Sequence, residues 1–406
     1  MEFLKVSGKH IVDGTGEKVR LRGVNLGGWL MLEGYILGGR NIPESEFKRT
    51  LARRIGKDKS REFFKEYRNC FINEKDIKII KDVGFNCVRV PFNYRLIEED
   101  SKPCVYSKEG LGYLDRLVDW CEKYRIYCIL DLHAAPGSQN RDWHSDSSGT
   151  ALLWEKKNFQ DRCISLWEKL AWRYRFRSCV AGYDVLNEPV TRDITKLNKV
   201  YRNVIKSIRS VDKRHIIFLE GNNWAQSLDV LDTFYDGNIV YSIHFYYPID
   251  FTFNFRPGLT YPGRIDGENW NKIKLKRLLQ PYAKFMGKHN VPLLVGEFGV
   301  NSRCPECSSE LKWIEDVLEI FDTFCFHWTY WTYKAVAGNI FPDGLYRLVE
   351  NLDWVSRQGP IRGWENFYTF LKFKEKRRIV ESLKTENFVK QKDLVSLLKN
   401  SIVPPS

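Results

Sequence analysis

Eight short apolar runs recur along this chain, interleaved with seven segments of helical spacing. The runs are Leu21–Leu26, Phe85–Val90, Ile126–Leu132, Val180–Leu186, His215–Leu219, Ile239–Ile243, Pro292–Gly296 and one that starts at Cys325 and reaches Lys334. They are nearly continuous rather than alternating, as expected of parallel strands buried on both faces. Helical spacing follows over 73–83, 110–124, 158–175, 195–210, 271–289, 308–322 and 362–376. Eight such units over about 370 residues predict an α/β fold, a single (β/α)8 TIM barrel with enlarged loops. An open dinucleotide-binding sheet would need G-x-G-x-x-G after its first strand, and Gly27-Gly28 is not that pattern.

The barrel domain is expected to span 1–376. It begins with a hairpin over residues 3–20, turning about Asp13–Gly16, and a helical tail over 377–406 follows. At 43% hydrophobic residues, and without long biased tracts, the chain has ample material for one core. The net charge of +13 raises nucleic acid as a partner, but the basic residues are dispersed among 51 acids. Their densest run, Lys372–Arg378, lies in a charged helical segment and reads as a solvated face. No nucleic-acid partner is expected. No apolar run reaches the ~18 residues of a membrane helix, so no membrane association is expected.

Several of the 10 cysteines (Cys87, Cys128, Cys325) fall inside apparent core strands, which suits reduced thiols acting as small hydrophobes. With no leader and no Asn-x-Ser/Thr acceptor, the expectation is a cytoplasmic protein. Cys304-Pro-Glu-Cys307 lacks a second pair and is weak as a zinc site, with a local disulfide as the other reading. Neither a metal nor a cofactor is expected.

The strand ends carry Arg89, His133, Asn187-Glu188, Asn222-Asn223-Trp224, His244-Phe-Tyr246, Glu297 and Trp331. In such barrels several strands contribute chemistry at their carboxyl ends. A buried strand has no use for a carboxylate, yet two runs end in one: Leu186-Asn-Glu188-Pro189 and Val295-Gly-Glu297. Two glutamates across a barrel mouth suit glycosidic cleavage, one protonating the leaving oxygen and the other attacking the anomeric carbon. The acid must keep its proton near neutral pH while the nucleophile stays ionised. Arg89 and Tyr246 are placed to donate to Glu297, and Asn187 to a sugar hydroxyl. Aromatics at 14%, many beside Gly, Asn, His and Asp in loops, offer flat faces for sugars or bases. Spacing alone leaves open which glutamate does which and whether configuration is retained.

Arg89-Val-Pro, Leu132-His-Ala-Ala-Pro-Gly, Leu186-Asn-Glu-Pro, His244-Phe-Tyr, Val295-Gly-Glu-Phe-Gly and Trp331-Thr-Tyr-Lys, in that order, resemble glycoside hydrolase family 5. The likeness covers about residues 10–375 and implies a retaining (β/α)8 hydrolase. It implies Glu188 as acid/base and Glu297 as nucleophile, with Arg89, His133, Asn187, His244, Tyr246 and Trp331 around them. Asn223 joins them as a candidate substrate contact from its strand end. Gly23–Glu33 and His133–Asn140 are similar to the exo-β-1,3-glucanase and β-glucosidase-like branch, where the acid matching Glu33 binds the terminal sugar. Compact endoglucanases and mannan-active members share the catalytic motifs. A monomer acting on β-linked oligo- or polysaccharide is expected, with a catalytically silent sugar-binding barrel as the reading from another class. The long loops 134–157 and 247–270 are placed to close one end of the cleft and favour exo action.

Overall fold

The structure is a computed structural model that describes residues 1–234, 236–302, 308–336, 340–347 and 380–402, and the backbone of 355–356 and 359–360. Its centre is a closed barrel of parallel strands: β1 (Arg22–Asn25), β2 (Cys87–Asn93), β3 (Tyr127–Ala134), β4 (Val180–Asp184), β5 (Ile216–Glu220), β6 (Ile239–His244), β7 (Leu293–Phe298) and β8 (His327–Tyr330). They pair in chain order, and β8 closes on β1 through Trp328 opposite Arg22 and Tyr330 opposite Val24. At Gly23 a side chain would strike the Cys87 carbonyl, 2.1 Å from an added Cβ, so only glycine lets β1 approach β2 this closely.

Helices cover the outside: α1 (Glu44–Ile55), α2 (Lys57–Phe71), α3 (Glu74–Val83), α4 (Lys108–Tyr124), α5 (Lys157–Tyr174), α6 (Ile194–Val211), α7 (Lys272–His289), α8 (Ser309–Phe324) and, in the tail, α9 (Lys392–Ile402). The sequence signals explain their limits. Asn73 and Asp76 form a reciprocal capping box at the start of α3, and Gly84 ends it at φ 112°. Ser107 and Asn271 cap α4 and α7. α6 buries Leu197, Val200, Tyr201, Val204, Ile205 and Ile208 on one stripe.

Along the strands, alternate residues change character from one end of the barrel to the other. Cys87, Ile129, Ile216, Phe218, Val240 and Leu294 form an apolar cluster with Leu4 and Ile11 of the N-terminal hairpin. Two residues further along the same strands stand Arg89, Asp131, Glu220 and Ser242, all fully buried. The N-terminal end of the barrel is therefore a packed core closed by the hairpin, and the carboxyl end carries the polar groups.

Two boundaries differ from the sequence reading, and two features go beyond it. The hairpin pairs Lys5–Ser7 with His10–Val12 and so turns at Gly8-Lys9, while Asp13–Gly16 forms a second turn closed by Val12 opposite Lys18. β4 ends at Asp184, two residues early, although Val185 N–H still donates to the Phe218 carbonyl and Asn187 N–H to that of Leu132. α1 and α2 carry no expectation from the sequence. Over its described residues the tail is packed: α9 buries Leu394, Val395 and Leu398, and Val389-Lys390 pairs with Tyr346-Arg347. Helix 362–376, the 376/377 boundary and Cys304/Cys307 lie outside the described residues.

Candidate active site

Arg89, at mid-length on β2, is fully buried and organises the carboxyl end of the barrel. Its Nε donates to Asp184 Oδ2 at 2.8 Å, Nη1 to Glu297 Oε1 at 2.8 Å and Asn25 Oδ1 at 3.1 Å, and Nη2 to Glu220 Oε1 and Asn187 Oδ1 at 2.9 Å. Asp131 Oδ2 is 3.1 Å from Nη2. One guanidinium thus faces four carboxyls, and its rigid fork serves them from different strands. Burial pushes Asp131 up to about 8 and raises Asp184 well above the carboxylate range, which limits the negative charge that Arg89 must meet.

Glu297, at the end of β7, accepts from Arg89 on Oε1 and from the Tyr246 hydroxyl on Oε2 at 2.9 Å. Glu188 follows β4 in a left-handed conformation, φ 49°, uncommon for a residue with a side chain. Two contacts impose that turn: its N–H donates to Glu220 Oε2 at 2.6 Å, and its carbonyl accepts from Asn140 Nδ2 at 2.9 Å. Its carboxylate lies between two histidines, with Oε1 2.7 Å from His244 Nδ1 and Oε2 3.0 Å from His144 Nε2. Burial opposes ionisation of Glu188, but these hydrogen bonds outweigh it and hold the group well below the usual carboxylate range. Sequence reasoning expected a protonated acid here. The two histidines are shifted the opposite way: burial works against both rings, yet Glu220 and Glu297 raise His244 well above its ordinary value and Glu188 pushes His144 up to about 9.

A cavity of about 620 Å³ opens above these groups, lined by Glu33, His133, Asn187, Glu188, Tyr246, Glu297 and Trp331 among others. Arg89 and His244 stand behind the two glutamates instead of on its surface. His133 stacks on Trp331 with ring centroids 5.5 Å apart and faces Glu33 at 3.6 Å. Burial keeps Glu33 well above its ordinary value and lowers His133 to about 3. Asn223 is the exception. It is exposed, its amide donates to Ser227 Oγ at 3.1 Å, and the positive φ of Asn223 and Trp224 brings Trp224 to the cavity instead.

Asn25, Asp131 and Asp184 escape sequence reading because each sits inside an apolar run, whereas Glu220 ends the run His215–Leu219 as Glu188 and Glu297 end theirs and was missed. The period-2 alternation with Arg89 on neighbouring strands was the available signal. His144 and Trp143, on the loop after β3, had only their loop as a cue. Glu188, His244 and Glu297 bring one ligand-type atom each within 4.8 Å of one another. Arg89, Tyr246 and the histidine pair already account for that convergence, so we assign these residues no metal.

The chain belongs to glycosyl hydrolase family 5: the family described as Cellulase (glycosyl hydrolase family 5) matches residues 52–336. Its relatives include a β-xylosidase of Phanerodontia chrysosporium, 38% identical over 83% of this chain and 72% of the relative, and endoglucanase C of Acetivibrio thermocellus, 33% identical over 69% and 89%. A probable glucan 1,3-β-glucosidase A of Aspergillus clavatus is 31% identical over 57% of each. The crystal structure of endoglucanase Cel5A from Thermotoga maritima shares the fold with TM-score 0.63 at 19% identity, over 93% of this chain and 96% of that one.

Proposed function

We propose that this protein is a retaining β-glycosidase that removes sugars from the ends of β-glucosides and short β-gluco-oligosaccharides. The observation that carries the mechanism is the approach of Glu188 and Glu297 to within 4.8 Å. An inverting pair stands roughly 6.5–9.5 Å apart to admit water, and a retaining pair about 5–5.5 Å. Glu297, braced by Arg89 and Tyr246, attacks the anomeric carbon. Glu188 protonates the departing oxygen and then draws a proton from the water that releases the sugar.

End-wise action rests on a wall of aromatic rings beside Trp331. Tyr35 lies 4.7 Å from Phe341 and 5.8 Å from Trp143, and Phe341 meets Phe253 at 5.1 Å and Phe255 at 5.2 Å. Trp143 comes from loop 134–157 and the two phenylalanines from loop 247–270. A sugar on Trp331 with Glu33 beside it has this wall at its far side. Toward Trp224 the cavity continues into a second one of about 500 Å³ that shares Asp142 and Trp224, suiting the leaving group.

The relative named a β-xylosidase favours a second glycone, β-xyloside, in the same pocket. Initial rates on aryl β-glucoside, β-xyloside and β-mannoside separate the readings, and activity on the mannoside alone would exclude both. Glu297→Ala is expected to lose at least about 10⁴-fold in kcat, with azide restoring turnover as the inverted glycosyl azide. Normal rates in that variant would remove Glu297 from the role.

A further inference from the structure

The loop after β3 returns the ring of His144 to the Glu188 carboxylate, and the two histidines that clamp this carboxylate differ in how they are held. His244 belongs to the barrel. It ends β6, and its Nε2 stands 3.1 Å from Glu220 Oε1, which is itself bound to Arg89. His144 belongs to a single 3₁₀ turn, Trp143–Ser145, and meets Trp143 and His133 edge-on at 5.4 and 6.2 Å.

Asn140 completes the arrangement. Its Oδ1 accepts from the Asp142 N–H at 2.9 Å and its Nδ2 donates to the Glu188 carbonyl at 2.9 Å, which settles the orientation of the amide. The same Nδ2 lies 3.0 Å from His144 Nε2. That ring nitrogen therefore has a donor in reach when it is bare and the Glu188 carboxylate in reach when it is protonated. Both protonation states are accommodated without moving the ring.

We propose that His144 is a positioning residue that stores the proton Glu188 delivers, returning it to Oε2 when a leaving group enters the cavity. This inference rests on the reading of Glu188 as acid/base. With both carboxylate oxygens occupied, an incoming glycosidic oxygen must compete for one of them. The contact on the loop is the one that can yield. In the transfer the Nε2–H bond breaks as the Oε2–H bond forms, so imidazolium and carboxylate become imidazole and carboxylic acid with no change in total charge. Glu188 passes the proton to the glycosidic oxygen as the C–O bond breaks. In the second half the attacking water gives a proton to Glu188, which hands it back to His144.

The charged and titratable groups facing His144 are Glu188 from the end of β4, Asp142 on its own loop, Glu33 from the segment after β1 and His133 on β3. Burial disfavours the charged ring, but the Glu188 hydrogen bond and the three acids push it up to about 9.

Two measurements on the full chain test this. In ring-¹⁵N-labelled protein without ligand, His144 is expected to be protonated at about pH 7 and neutral in Glu188→Gln. A neutral His144 in the parent overturns the proposal whatever the substrate proves to be. In His144→Gln and His144→Asn, kcat/KM for phenyl β-glycoside is expected to fall about 10²-fold, with the basic limb of the pH profile at least one unit lower. The dinitrophenyl glycoside, which needs little protonation, should change less than about threefold. An unmoved basic limb, or equal losses on both substrates, overturns the storage role. Full activity of Glu188→Gln on the phenyl glycoside would instead sink the acid/base reading itself.

Discussion

Arg89 Nη1 lies 2.8 Å from Glu297 Oε1, and the same fully buried guanidinium reaches Asp131, Asp184 and Glu220. A single cation thus links the acid read as nucleophile to three further carboxyls on neighbouring strands. Removing one partner of a buried ion pair costs roughly 3–5 kcal/mol because the others stay buried and unmatched. Arg89→Lys keeps the charge but lacks the planar fork. We expect both Arg89→Lys and Arg89→Met to lower unfolding free energy in denaturant titrations, the second more than the first. Turnover should be lost in both. Unchanged unfolding curves for Arg89→Met would refute the account.

Glu188 should reveal its role through the leaving group. Glu188→Ala is expected to lose about 10²–10⁴-fold on substrates whose leaving group needs a proton, while a dinitrophenyl glycoside is cleaved in its first step nearly as before. A uniform loss across leaving groups, measured as kcat/KM, would point to a structural role.

The aromatic wall predicts a change of product, not merely of rate. Phe341→Ala and Trp143→Ala remove rings that pack against Tyr35. Opening the far side should let longer chains cross Trp331, so the variants release disaccharides from cello- or laminari-oligosaccharides where the parent releases single sugars. Identical product patterns by chromatography would count against the wall as the limit on glycone length.

Acid stability should carry the mark of His327. This fully buried ring on β8 accepts the Leu21 N–H on Nδ1 at 3.0 Å, and burial lowers it to about 3. The folded state therefore binds fewer protons than the unfolded state between the two values. Its contribution is complete above about pH 6.5 and is lost as pH falls toward 3, at about 1.4 kcal/mol per unit. His133, also lowered to about 3, contributes in the same direction. His327→Gln should flatten the decline in unfolding free energy between neutral and acid pH. A slope equal to the parent's would contradict this.

What could be read from the chain follows from where each signal is written. All eight strands were legible because strands buried on both faces read as nearly continuous apolar runs, and caps such as Asn73 and Gly84 marked helix ends within a residue or two. Glu188 and Glu297 stood out because an acid ending an apolar run has no packing purpose. α1 and α2 went unread between β1 and β2, and of the two N-terminal turns only Asp13–Gly16 was read, the one at Gly8-Lys9 being missed.

The sequence by itself determined the barrel, its polar end and the two glutamates, because period and polarity are local properties. Tertiary structure alone decided how the acids are charged. Asp131, Asp184 and Glu220 join Glu297 only when the strands close around Arg89. His144 meets Glu188 only when its loop, distant in sequence, folds back. Asn223 was displaced by Trp224 through backbone angles that no spacing reveals. Proton position depends on burial and on partners a few ångströms away, and both exist only once the chain has folded.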